Sequence, residues 1–126
     1  MNKLINENQM LNVGVIGVGS MGRNHARVLA ALPNVNLVAV ADVDPTALYK
    51  VARTYRAQPY TDYRAMLDQE ALDIVSLVVP TELHHPMARE VIERGIHVFI
   101  EKPFTLRVEE GKELIIAAQQ KGVKLP

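Results

Sequence analysis

The sequence predicts an α/β protein whose parallel sheet is doubly wound, with helices on both faces, and three observations predict it. From Leu11 onward, short apolar runs alternate with longer amphipathic ones, the pattern of repeated strand–helix–strand units. The run Asp73 to Val79, DIVSLVV, is apolar almost throughout, as a strand covered on both faces has to be. Between the first apolar run and the first amphipathic one stand Gly17, Gly19 and Gly22, a turn where a strand hands over to a helix.

The elements follow in order. LNVGVIG, Leu11 to Gly17, is a strand; Met21 to Leu32 carries Ala26, Leu29, Ala30 and Leu32 at helical spacings, and Pro33-Asn34 stops that helix. Val35 to Val40 is the second strand, after which Asp44 caps a helix, Pro45 takes its first position, and the helix runs to about Arg56. Pro59-Tyr60 suits a short edge strand, and Asp62 caps a short helix through Leu67. Asp73 to Val79 is the central strand. Pro80-Thr81 leads into a helix that places Met87, Val91 and Ile92 on one side and ends at Gly95. His97 to Ile100 is the next strand, Val108 to Lys121 the last helix, stopped by Gly122, and Val123 to Pro126 reads as a strand that has only begun.

Composition narrows the function. A chain of 126 residues holds one hydrophobic core, read here as residues 11–126 behind a flexible tail, 1–10. Fourteen basic residues balance fourteen acidic ones, so there is no electrostatic footprint for nucleic acid or an anionic membrane, and a small ligand is the better partner. The absence of cysteine excludes disulfides, thiolate nucleophiles and cysteine-held metal, and His25, His84, His85 and His97 show no metal-ligand spacing. The N-terminal segment lacks a basic stretch leading into a long apolar run, and no apolar stretch is long enough to span a bilayer, so a cytoplasmic location is expected.

GVGSMG, Gly17 to Gly22, is a weak signal alone, because glycine turns between strand and helix also arise for conformational reasons. Its surroundings strengthen it: a strand before, a helix after, and Asp42 about 20 residues beyond Gly22 at the end of the second strand. On this reading Gly17 permits the tight turn, Gly19 lets the backbone approach a pyrophosphate, Gly22 allows close packing of helix on strand, and the helix N-terminus with Ser20 and Met21 presents N–H groups to the anion. Asp42 would accept hydrogen bonds from the adenosine ribose and repel a 2′-phosphate, and Val43 supplies no cation for one, so NAD is expected in preference to NADP. The alternative for Asp42, a helix cap, is weakened by Asp44, which is better placed to cap.

Two further clusters, PTELHH (Pro80 to His85) and EKPFT (Glu101 to Thr105), follow successive strands and so lie at the carboxyl end of the sheet, where open parallel sheets bind ligands. Together GVGSMGRNHARVL, ADVDP, PTELHH and GIHVFIEKP resemble the N-terminal half of the glucose-fructose oxidoreductase, inositol dehydrogenase and rhizopine-catabolism (Gfo/Idh/MocA) family over residues 11–126. The resemblance implies a Rossmann NAD-binding domain of a dehydrogenase acting on a sugar, cyclitol or nucleotide-linked sugar. It implies that Lys102 lies beside nicotinamide and substrate as the catalytic residue, that Glu101, Pro80 and Thr81 help seat the nicotinamide ribose region, and that His84 matches the family's histidine in that turn. A lysine there can polarise a carbinol or ketone oxygen and share in proton transfer; its alternatives are a solvated lysine or a partner of Glu101. For His84 a helix-start residue bonded to backbone is an equal alternative, His85 has no assigned role, and His25 and His97 read as structural. The Lys102-Pro103 bond is a candidate cis peptide.

The family pattern also implies a second domain that walls the substrate site, carries further acid–base residues and supports a homo-oligomer. Without it, catalysis by these residues alone is not expected. A dinucleotide-binding sensor and an oligomerising interaction module are the other two readings, the first weakened by the presence of Lys102.

Overall fold

The computed structural model describes residues 10–101 and 107–125. Its elements are β1 (Leu11–Ile16), α1 (Ser20–Ala31), β2 (Val35–Ala41), α2 (Pro45–Tyr55), β3 (Gln58–Tyr60), α3 (Tyr63–Gln69), β4 (Ile74–Leu77), α4 (His84–Glu93), β5 (His97–Ile100) and α5 (Val108–Lys121), with a 3-10 turn at Thr81–Leu83. All strand pairs are parallel and the spatial order is β3-β2-β1-β4-β5. The order reverses between β1 and β4, which opens a crevice at the carboxyl ends of these two strands.

Alternation along the strands divides the core expected to be single into two clusters, one on each face of the sheet. In β2, Leu37 and Val40 join Val15, Val18 and Ala26 under α1 and α2, whereas Ala39 and Ala41 join Ile16, Val75 and Leu77 under α3, α4 and α5. Ser76, between Val75 and Leu77, therefore faces α1; it is 4% exposed.

The caps follow the sequence. Asp44 accepts a hydrogen bond from the Thr46 N–H ahead of Pro45, and Asp62 accepts one from the Arg64 N–H. Gly122 ends α5 in the left-handed region at φ 69°, and Arg56 does the same for α2 at φ 57° without being glycine.

Three boundaries differ from expectation by two residues or more. The central strand covers Ile74–Leu77 rather than Asp73 to Val79. Val78 still donates to the Ile16 carbonyl (2.8 Å), but Pro80 has no N–H and the chain turns away toward the 3-10 segment. The helix expected from Pro80-Thr81 consequently starts at His84, one tight turn later. The short helix after Asp62 extends to Gln69 instead of stopping at Leu67. At the C-terminus, the Val98 N–H donates to the Lys124 carbonyl (3.2 Å), so the segment after Gly122 does lie against β5. The expectations for Lys102, for the Lys102-Pro103 bond and for residues 1–9 lie outside the described residues.

Candidate functional site

Two of the three glycines are required by the protein itself. Gly17 has φ +97°, and a Cβ on it would stand 2.0 Å from the Val78 carbonyl oxygen. A Cβ on Gly22 would stand 1.8 Å from the Gly17 carbonyl oxygen, so the first turn of α1 rests directly on the turn that precedes it. Gly19 is different. Its φ of −68° suits any residue, and a Cβ on it would meet nothing within 4 Å. Among the described residues nothing calls for glycine at this position; it keeps the space beside the α1 N-terminus clear.

Among the described residues no side chain caps that N-terminus. Gly19 is the N-cap residue with no side-chain cap, and Arg23 is the first residue to donate back, to the Gly19 carbonyl (2.8 Å). The N–H groups of Ser20, Met21 and Gly22 point out of the helix end, where an anion is favoured.

Asp42 sits at the end of β2 and clamps the glycine turn. Its Oδ2 accepts from the Val18 N–H (2.8 Å) and its Oδ1 from the Asp44 N–H (2.9 Å). A carboxylate has about four acceptor sites, so both oxygens keep capacity for a diol. Val43, immediately after it, is 87% exposed and offers an apolar face to the same space.

Two adjoining cavities, of about 300 and 310 Å³, share Gly19, Val78, Val79 and Pro80. The first runs past Gly17, Asp42, Val43, Thr61 and Tyr63. The second is lined by Ser20, Met21, Gly22, Thr81, His84 and Glu101. The described residues singled out from sequence thus come together along one crevice, split between its two ends.

Each end has its own supports. In the first, burial and a hydrogen bond to Glu90 push the Tyr63 phenol up to about 12, so it is a fixed donor and not a titrating group. In the second, His84 is 1% exposed and its Nε2 pairs with the Val79 carbonyl (2.9 Å), so it both starts α4 and lines the cavity. Glu101 follows β5, its N–H donating to the Leu77 carbonyl (3.3 Å).

Two histidines acquire partners that the sequence did not suggest. His85 bonds Glu113 on α5, which Arg89 also contacts at 2.7 Å. His25, read as structural, bridges Ser76 (Nδ1 to Oγ, 2.9 Å) and Glu101 (Nε2 to Oε1, 3.1 Å). The available signal was spacing: residue 25 lies one turn after Gly22, on the helix face turned toward the sheet. His97 Nδ1 accepts from the Lys124 N–H (2.7 Å), and burial together with the nearby Lys124 charge holds it below the ordinary imidazole value.

Among the described residues there is no group of three or more potential metal ligands, and no helix is long and apolar enough to cross a membrane.

Residues 11–126 match the family model described as the oxidoreductase family, NAD-binding Rossmann fold. A UDP-N-acetylglucosamine 3-dehydrogenase of Acidithiobacillus ferrooxidans is 38% identical over 115 residues, covering 91% of this chain and 36% of that protein. A glycosyl hydrolase family 109 protein of a Shewanella species is 37% identical over 121 residues, 88% of this chain and 26% of its own. Among solved structures, GenD2 of gentamicin A biosynthesis, determined with NAD, superposes with a TM-score of 0.90 at 35% identity over 93% of this chain and 34% of its own. The WlbA dehydrogenase of Bordetella pertussis, determined with NADH and UDP-GlcNAcA, gives 0.88 at 32% identity over 93% and 36%. The chain spans about a third of the length of these relatives, and about a quarter in the Shewanella case.

Proposed function

For a chain that belongs to the Gfo/Idh/MocA oxidoreductase family, we propose that the crevice holds NAD in an enzyme that oxidises or reduces a hydroxyl or keto group of a sugar, a nucleotide-linked amino sugar being the favoured substrate class. The observation that carries the cofactor reading is Gly19: it leaves open space beside an uncapped helix N-terminus at a position where nothing among the described residues calls for glycine. The substrate class rests on the UDP-N-acetylglucosamine 3-dehydrogenase and on the WlbA dehydrogenase with its UDP-GlcNAcA ligand.

In this reading the N–H groups of Ser20, Met21 and Gly22 receive the pyrophosphate, and Asp42 receives the adenosine ribose hydroxyls. Pro80, Thr81, His84 and Glu101 border the nicotinamide ribose. NAD supplies the hydride acceptor, or in its reduced form the donor. Lys102, next in sequence after Glu101, handles the proton on the reacting oxygen in this reading. Substrate walls and further proton carriers come from a second domain, and the assembled protein is an oligomer.

Discrimination against NADP tests the cofactor assignment. A carboxylate facing a 2′-phosphate disfavours NADP by like-charge repulsion, so Asp42→Ala should weaken NAD by about tenfold or more and leave NADP unchanged or tighter, narrowing their ratio. Because the same variant also releases the Val18 and Asp44 N–H groups, the ratio is the readout. An unchanged ratio in parallel titrations removes Asp42 from the site.

The glycosyl hydrolase family 109 relative favours a second reading, net hydrolysis of a glycoside in the same pocket. It predicts substrate turnover without accumulation of reduced nicotinamide, whereas the dehydrogenase reading predicts one NADH per substrate oxidised.

A further inference from the structure

Ser76, His25 and Glu101 stand in a row from the middle of the sheet to the second cavity: Ser76 hydrogen-bonds the His25 Nδ1, and the His25 Nε2 lies 3.1 Å from the Glu101 Oε1 as an ion-pair contact. The carboxylate can only accept, so the His25 Nε2 carries a proton toward Glu101. In the neutral ring the Ser76 hydroxyl, which can donate or accept, then donates to Nδ1, so the tautomer is set by the carboxylate end and accommodated by the buried one. A hydroxyl, an imidazole and a carboxylate also make up hydrolytic triads, but Ser76 is 4% exposed within β4 and does not line the crevice, so no substrate reaches it. His25 does not line the crevice either. Glu101 does, and its side chain is 34% exposed.

A glutamate at that exposure has three rotatable bonds to lose when a ligand fixes it. Here one oxygen already lies against the imidazole, 3.1 Å from Nε2, while Oε2 takes no hydrogen bond among the described residues. The imidazole is itself held twice, by Ser76 and by the Phe99 ring, whose centroid lies 6.0 Å away. A ligand hydroxyl arriving in the second cavity thus meets a carboxylate whose rotamer is already chosen, and the ordering cost of binding falls.

We propose that His25 is a positioning residue for the nicotinamide half of the ligand, acting through Glu101, with Ser76 as its anchor. This rests on the reading of the crevice as an NAD site, and it assigns the two halves of the molecule to different supports: the adenosine half to Asp42 and the glycine turn, the nicotinamide half to the Ser76–His25–Glu101 chain.

NAD and ADP separate the halves, because ADP lacks the nicotinamide riboside. The test measures both affinities by calorimetry for the unaltered chain, His25→Leu, His25→Gln and Ser76→Ala. Leucine removes the donor, while the glutamine amide nitrogen falls near the place of Nε2 and retains it. His25→Leu should lose NAD affinity by about fivefold to tenfold with ADP unchanged within about twofold; His25→Gln should recover most of the loss, and Ser76→Ala should lose about twofold to threefold. Equal losses for NAD and ADP, no loss for either, or a glutamine variant as impaired as leucine would overturn the positioning role alone. Failure of the unaltered chain to bind either ligand would overturn the NAD site and this inference with it.

Discussion

The two ends of the crevice are built differently. At the β1–β2 end the groups that hold the site are backbone atoms joined by one carboxylate, a few residues from one another or on neighbouring strands: Gly17 N–H to the Ala41 carbonyl, Val18 and Asp44 N–H to the Asp42 side chain, and α1 resting on Gly17. At the β4–β5 end they are side chains drawn from separate elements: His84 onto the Val79 carbonyl, and His25 of α1 joining Ser76 of β4 to Glu101 beyond β5. A backbone cradle suits a ligand part that is the same in every NAD enzyme, the pyrophosphate. A side-chain frame suits the end where chemistry and substrate vary, since one substitution there changes the site without moving the chain.

If that contrast holds, damage at the glycine end is the most severe. Gly22→Ala puts a Cβ 1.8 Å from a backbone oxygen that cannot swing away, so α1 has to lift off the sheet. The expected cost is about 3 kcal/mol or more, seen as a fall in Tm of roughly 10 °C. A melting point within a few degrees of the parent would show that this end is not backbone-limited.

Damage at the side-chain end should be smaller and local. His84→Leu fills the space of a 1% exposed imidazole but leaves the Val79 carbonyl without that partner, at a cost of about 1 to 3 kcal/mol in chemical denaturation. A loss as large as that of Gly22→Ala would erase the distinction between the two ends.

The smallest effect is expected at the outer wall, where Tyr63 and Arg64 both bond Glu90. Burial works to raise the Glu90 carboxyl, but the bonds from Arg64 and Tyr63, with the Arg64 and Arg94 charges, outweigh it and hold the group below its ordinary value of 4.5. A depressed folded-state value stabilises above the unfolded value and is lost as pH falls through the folded one. The parent should therefore lose stability between about pH 5 and pH 3 more steeply than Glu90→Gln, by less than about 1 kcal/mol for so exposed a network. Identical acid profiles would remove Glu90 as a contributor.

Legibility in the sequence follows the same division. The glycine turn, Asp42, the Asp44–Pro45 cap and the parallel order of elements depend on local chemistry and on alternation, and both are written along the chain. The 3-10 turn before α4 was legible only in part: Pro80, which ends the ladder, is written in the sequence, but a proline at that place suits the first turn of an α-helix as well as a 3-10 turn. His25 was placed on the correct helix, but its partners lie 51 and 76 residues away, and only the pairing of β1 with β4 brings α1 over Ser76. His85 had no legible role for the same reason: its partner Glu113 is on another helix.

The most direct test of the glycine turn as a ligand cradle is the NAD affinity of Gly19→Ala, measured beside its melting curve. Because alanine fits the Gly19 backbone and meets nothing within 4 Å, the Tm should stay within about 3 °C of the parent, while the methyl group, standing where the pyrophosphate has to come, should weaken NAD by about tenfold or more. An unchanged affinity at unchanged stability would mean that the space beside Gly19 is not where the dinucleotide binds.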